Sequence, residues 1–267
     1  MQQLRMEILI LTTEPPETLG GMETFIREQI RGFEERGYTV RTFHRRNSGR
    51  DTFLNQGRGP LTEALLGWVI GRAAQQAMHE GVAAVISHGL VGWYPLRVPP
   101  RCLQIHFYHG TYRAYAEVMR SHISLFGYWK MKWWDTMLLT RLSGRGKLIL
   151  CNSGQVAAEV DRFFGYQSRV VSLIATQQPA PLDRAECRRA LGLPVDALVG
   201  AFVGSLHPMK NFPMVRALIQ ALPEVHWIIA LRGDLPEEPL SPSRVLLLQD
   251  VPSAMIPQQF LAAITWS

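Results

Sequence analysis

The sequence predicts an α/β protein built as two successive parallel sheets with helices on both faces. Three observations predict it. Strand-like apolar runs alternate with helix-spaced segments along almost all of the 267 residues, the pattern of parallel strands joined by crossover helices. The alternation pauses at Gln177-Gln178-Pro179-Ala180-Pro181, which reads as a linker, and then restarts. Charge also divides along the chain: residues 1–150 carry 19 Lys+Arg against 12 Asp+Glu, and residues 151–267 carry 9 against 10. The expected domains are therefore 1–178 and 179–267.

The elements follow in order. Glu7–Thr13 is an apolar run closed by Pro15-Pro16 and followed by Gly20-Gly21. Met22, Phe25, Ile26, Ile30 and Phe33 then recur at helical spacing, and Gly37 stops the helix. Tyr38–Phe43 reads as a strand, the polar and basic stretch His44–Pro60 as a loop, and Leu61–His79 as a helix. Ala83–Ser87, Cys102–His106 and Lys147–Cys151 are short apolar runs of the kind that form buried parallel strands. Between the last two, Thr111–Leu142 is aromatic and basic and is expected to hold more than one helix. Gln155–Phe164 is a helix and Arg169–Ile174 a closing strand. In the second block Asp183 caps a short helix to Leu191. Ala197–Val203, Val225–Leu231 and Arg244–Leu248 are strands, Asn211–Leu222 is a helix, and Pro257–Ile264 begins another. Three strands make a thin sheet with an open edge, so the second domain reads as incomplete.

Composition narrows the classes. Hydrophobic residues make up 47% and charged residues 19%, which excludes global disorder. Cys102, Cys151 and Cys187 are scattered and form no CxxC pair, so neither a zinc ribbon nor a disulfide framework is expected, and a reducing, cytoplasmic setting fits. The start runs directly into a strand rather than a signal peptide, and no apolar run reaches the ~20 residues of a membrane span. A net charge of +6, carried by the first block, points to an anionic partner.

Two segments carry chemistry. In Thr13–Glu23 a strand leads through Gly20-Gly21 into a helix, whose first N–H groups and positive dipole end suit an anion at the strand ends of a parallel sheet; an ordinary turn is the bland alternative. In Val203–Asn211 the order strand, Gly204, Ser205, loop, Lys210, helix aims an ammonium and a helix dipole at one phosphate; a solvated surface lysine is the alternative. His109 follows an apolar strand at the edge where sites form, with a structural hydrogen-bonding role as the other reading. His106 reads as core or supporting, His88 and His207 as either, and Ser153 has no partner that marks it as a nucleophile.

Taken together these segments resemble the family 4 glycosyltransferases of the GT-B fold. The resemblance lies in Gly20-Gly21-Met22-Glu23, His88-Gly89, His109-Gly110, Leu148–Ser153 before a helix, and Ala201–Leu206 leading to Lys210-Asn211. It implies two Rossmann-like domains, the second incomplete here, closing on a nucleotide sugar without a metal ion or other cofactor, and a retaining transfer. It implies that Lys210 neutralises the diphosphate leaving group and that His109 lies over the reacting sugar. Gly20 and Gly21 would face the donor phosphates or the acceptor, and Glu23 would help place the acceptor. Gly204 and Ser205 would line the phosphates, with Gly233 and the Gln249–Val251 stretch near the nucleobase. The partners so implied are a UDP- or GDP-sugar and a glycan, lipid-linked or small-molecule acceptor, in a setting of cell-envelope or polysaccharide synthesis.

Three departures stand out. Ser205 occupies the place of an arginine that could bind phosphate bidentately. Ala175-Thr176-Gln177-Gln178 replaces the usual Asn-Gly-Val-Asp turn. The family's acidic ribose- and sugar-binding motif would fall past Ser267, so the chain is expected to bind donor poorly and reads as C-terminally truncated. An inactive binding module, a sugar-nucleotide epimerase and a nucleic-acid binder are the competing readings; the last lacks a docking motif, so no nucleic-acid partner is expected. Finally, residues 97–147 hold nine Lys+Arg against two acids, interleaved with Trp129, Trp133 and Trp134. An anionic membrane surface at the inner face of the membrane is one partner for this stretch. The favoured expectation is that the tryptophans pack on the sheet, because neighbours such as Trp133 and Trp134 diverge around an α-helix.

Overall fold

The computed structural model describes residues 6–18, 20–48, 61–171, 183–236, 240 and 243–251. The expected linker, the Ala175–Gln178 turn and the helix at Pro257–Ile264 lie outside them. The chain divides into two compact units, Met1–Thr176 and Gln177–Ser267.

Unit 1 is a six-stranded parallel sheet. Its strands are β1 (Glu7–Leu11), β2 (Thr39–Phe43), β3 (Val82–His88), β4 (Leu103–Tyr108), β5 (Leu148–Cys151) and β6 (Ser168–Val170), in the order β2-β1-β3-β4-β5-β6. Every pairing is parallel, with Leu9 beside Arg41 on one flank and Val85 on the other. The interior strands are continuous apolar runs because helices cover both faces. Ile8 and Ile10 point to α1 (Gly21–Glu34), where Ile26 meets them. Leu9 and Leu11 point the other way, to Leu66, Ile70 and Ala74 of α2 (Thr62–Gln76). All four strand residues are at most 3% exposed, each contributing about 1.5–3 kcal/mol by burial. The chain direction across the sheet reverses between β1 and β3, so the carboxyl ends of these strands form the topological switch point where open α/β sheets bind ligands.

Between β4 and β5 the chain forms α3 (Tyr112–Met119), α4 (Leu125–Trp129), an eleven-residue π-helix (Lys130–Thr140) and α5 (Arg141–Gly144). Thr111 and Ser124 cap α3 and α4 through their hydroxyls. The π-helical ladder is visible in Arg141 N–H, which donates to Thr136 O five residues back. The tryptophans do not pack on the sheet as the sequence suggested: Trp129, Trp133 and Trp134 are 48%, 50% and 38% exposed. The wider π-helical turn is the reason, because residues five apart stack in it and Trp134 is brought over Trp129 instead of turning toward the sheet. After β5, α6 (Gly154–Phe164) is capped by Ser153, whose hydroxyl accepts from Val156 N–H, and is ended by Gly165.

Unit 2 begins with α7 (Arg184–Ala190), where the Asp183 carboxylate accepts from Glu186 N–H as the sequence predicted. Its described strands, β7 (Val199–Gly204), β8 (His226–Leu231) and β9 (Val245–Gln249), are parallel and adjacent in that order. A 3-10 turn, Pro208–Lys210, leads into α8 (Phe212–Ala221). Phe212 and Ile219 of α8 pack on Trp227, Ile229 and Leu231, while Leu193 covers Ile228 and Ala230 on the opposite face.

Candidate active site

In unit 1 the predicted residues gather at the carboxyl ends of β1, β3 and β4. His109 stands one residue past β4, half-buried against Phe25 of α1 and Phe107 at ring separations of 5.3 and 4.8 Å. His88 ends β3 beside it and is fully buried. The two imidazoles meet through His88 Nδ1 and His109 Nε2 at 3.0 Å. Burial pulls the His109 pKa from 6.5 down to about 4. Burial, and after it the charge His109 would carry, holds His88 well below the ordinary histidine value. Both rings are therefore neutral near pH 7, and one donates its single proton to the other. Asn152 supports the arrangement from β5: its Nδ2 donates to the His109 carbonyl at 3.2 Å. Thr12 Oγ1, His88 Nε2 and Asn152 Oδ1 are buried at this edge and have no hydrogen-bond partner among the described residues.

His106 faces the other side of β4. Its Nδ1 lies 2.9 Å from Ser87 Oγ, and Lys147 Nζ donates to Ser87 Oγ and to Gly92 O beneath the 3-10 turn Gly89–Trp93. Burial lowers the Lys147 pKa to about 8, and burial followed by the Lys147 charge lowers His106. This second polar cluster holds the turn after β3 in place rather than facing the strand ends.

Gly20, Gly21 and Glu23 form the tip of α1. Glu23 is 8% exposed, and its carboxylate folds back over Gly20, where a Cβ would fall 1.9 Å from Oε2. Gly20 has an extended backbone, so what the position needs is space, not an unusual dihedral. The carboxylate sits at the positive end of the helix, and this end presents an acceptor oxygen alongside its N–H groups. Gly20→Ala is expected to displace that carboxylate at a cost of at most about 1 kcal/mol, because only the free end of the Glu23 side chain has to change rotamer. A urea melt of the variant against the parent measures it; a larger loss would show that the tip cannot relax.

In unit 2 the predicted residues also share one sheet edge. β7 ends at Gly204, and the Lys210 side chain crosses it, with Cγ 3.5 Å from the point a Gly204 Cβ would occupy. Lys210 is exposed and lies at the end of the 3-10 turn. The left-handed Asn211 (φ 50°) then turns the chain into α8. Ser205 follows β7 directly. Gly204 O accepts from Arg232 N–H at 2.8 Å, which ties the end of β7 to that of β8. Gly233 (φ 83°) donates its N–H to Asp250 Oδ1 at 3.0 Å and accepts from Gln249 Nε2 at 2.8 Å, so the β8 and β9 ends are stitched together just before Val251. Sequence reasoning missed Arg232 and, within the Gln249–Val251 stretch it did single out, the tie from Asp250 to Gly233. A charged residue directly after a fully apolar strand, as in Leu231-Arg232, was the available signal.

The sequence profile of glycosyltransferase family 4 matches residues 19–176. Among solved structures, sucrose-phosphate synthase from Thermosynechococcus elongatus matches with a TM-score of 0.69 at 14% identity, over 97% of this chain and 74% of that one. A UDP-glucosyltransferase from Polygonum tinctorium matches with a TM-score of 0.49 at 12% identity, over 92% and 71%. A ugt transferase from Siraitia grosvenorii, solved with UDP, matches with a TM-score of 0.48 at 11% identity, over 97% and 77%. The first likeness bears on the fold alone and the other two carry no weight. Comparison with curated proteins gives no match. The family profile spans more than half of the 267 residues, and with the GT-B fold it shows that the chain belongs to glycosyltransferase family 4.

Proposed function

We propose that the chain moves a hexosyl group from a UDP- or GDP-sugar to a hydroxyl of a glycan or lipid-linked acceptor, with retention at the anomeric carbon. The observation that carries this reading is the β7 edge of unit 2. There Lys210 crosses Gly204 beside a set of strand ends tied together by Arg232, Gly233, Gln249 and Asp250. A glycosidic bond to a diphosphate breaks as negative charge collects on the leaving oxygen, so a preorganised cation there acts mainly on the transition state. We assign that neutralisation to Lys210 rather than to a bound metal, with Gly204 and Ser205 offering N–H and O–H groups to the phosphates. Gly233 and Val251 are assigned to the nucleobase side.

In unit 1, neutral His109 is assigned to the donor sugar, as a hydrogen-bonding group rather than an acid at pH 7. The buried Glu23 carboxylate favours a hydroxyl over a phosphate at the tip of α1, so Gly20 and Gly21 are assigned to the acceptor. Unit 1 thus becomes the acceptor side and unit 2 the donor side. Retention rests on the resemblance carried by His109-Gly110 and the Lys210 segment. The scattered positions of Cys102, Cys151 and Cys187, with no CxxC pair, support a reducing, cytoplasmic setting.

A second reading, an inactive sugar-binding module, is favoured by Ser205, which offers a hydroxyl where a bidentate cation would grip phosphate. Incubating the full chain with a panel of UDP- and GDP-hexoses together with a panel of glycan and lipid-linked acceptors, with calorimetric donor binding alongside, separates the two. Release of UDP or GDP is expected. Binding without release would establish the inactive module, and neither binding nor release would overturn both.

A further inference from the structure

We infer that unit 1 carries a membrane-docking face, formed by α4 and the π-helix, that seats the protein on an anionic lipid surface. The face exists because of the π-helical turn. Residues four and five positions apart lie over one another in an i→i+5 ladder, so Trp129, Trp133, Trp134 and Leu138 share one stripe. In an α-helix the pairs Trp129–Trp133 and Trp134–Leu138 would each share a face, but the two faces would lie about 140° apart. Trp129 and Trp133 stack at 6.5 Å with their planes 13° apart. The opposite stripe, Asp135, Thr136, Leu139 and Thr140, is buried.

Two threonines hold the loosened ladder. Thr136 Oγ1 donates to Met131 O and Thr140 Oγ1 to Asp135 O, each five residues back. The register of the stripe is therefore set by the helix itself. At its leading end, Leu125 and Phe126 are 73% and 68% exposed, so the apolar surface is a projecting tip rather than a groove.

Charge decides what covers it. The two acids between residues 97 and 147 are already paired, Asp135 with Lys130 and Glu117 with Lys132. Arg113 lies over the Trp133 ring and Arg120 over Tyr128, while Arg141 is exposed where the π-helix ends. A protruding aromatic tip ringed by cations matches the headgroup layer of an anionic bilayer, where tryptophans sit at the interface and each nearby Lys or Arg adds attraction. No helix among the described residues is long and apolar enough to cross a membrane, so the contact is peripheral. The site also suits a lipid-linked acceptor, but vesicle binding is read without donor or acceptor and does not depend on the sugar-transfer reading.

Flotation of the full chain with vesicles of phosphatidylcholine alone, or mixed with phosphatidylglycerol, tests this. The chain is expected to float with the mixed vesicles and much less with the neutral ones. Trp129→Ser with Trp133→Ser should abolish flotation while leaving the thermal melt unchanged, since both rings are half exposed. Arg120→Glu with Arg141→Glu should weaken binding on the order of fivefold or more per site. Absence of flotation, or tryptophan variants that float like the parent, would overturn the proposal. So would a parent chain that self-associates in sedimentation velocity through the same tryptophans and ignores vesicles, because the face would then join two copies.

Discussion

Lys210→Ala is expected to lower nucleoside diphosphate release from the preferred nucleotide sugar by on the order of 10²–10³-fold, the range seen when one preorganised charge-stabilising group is removed from a transition state. Lys210 is exposed and its stem rests on Gly204, so truncating it should leave the urea melt of unit 2 within about 0.5 kcal/mol of the parent. The drop should fall mainly on kcat, because the ground-state diphosphate is still held by backbone N–H groups while the developing charge is not. Lys210→Arg should recover part of the rate, since the charge returns but its geometry differs. Turnover unchanged in Lys210→Ala would remove the residue from the mechanism, and with it the assignment of the β7 edge to the donor phosphates.

The second large effect is expected at the histidine pair. His109→Phe keeps the ring volume beside Phe25 and Phe107 but takes away the nitrogen that meets His88 Nδ1. His88 is fully buried and its Nε2 already lacks a partner among the described residues. The single variant therefore strands a whole imidazole and should cost about 1–3 kcal/mol. Replacing both residues, His88→Phe with His109→Phe, removes the stranded group together with its partner and should restore most of that loss. Turnover should stay down by at least tenfold in both variants. Stability and activity thus separate: recovery of turnover along with stability in the double variant would show that His109 only props the fold.

How far the sequence carried can be judged at particular residues. The strands were legible because a parallel sheet covered on both faces needs unbroken apolar runs, and Ile8–Leu11 and Ile228–Leu231 are such runs. Helix ends were legible where a side chain or a glycine marks them, as at Asp183 and Gly37. The π-helix was not legible, because the 3.6-residue period is the template against which a helix is read. Trp133-Trp134 was therefore assigned to packing on the sheet, and the structure turns it outward. At the site, the motifs located the strand ends but not the cross-strand partners. Nothing in the spacing of His88 and His109 says that their rings touch, since that depends on β3 lying beside β4. The occupation of the α1 tip by Glu23 was equally hidden, because a fold-back of three residues leaves no trace in periodicity. The Gln249–Val251 stretch was singled out, but the bond from Gly233 N–H to the Asp250 carboxylate was not legible, because it joins the ends of two neighbouring strands.

The strand order of unit 1 also sets a timetable for synthesis. β1 precedes the other described strands of this sheet, and its neighbour β2 follows after one helix. The other flank of β1 must wait for β3, where Ile8 meets Ala84. From the end of β2 at Phe43 to the start of β3 at Val82, that wait is roughly 2–8 s at ordinary elongation speeds. During it the ribosome carries a two-stranded fragment whose most apolar strand has one bare, hydrogen-bonding rim. Nascent chains in that condition are natural clients for a holding chaperone, and crowding of polysomes would penalise this half of the molecule before the other half is translated.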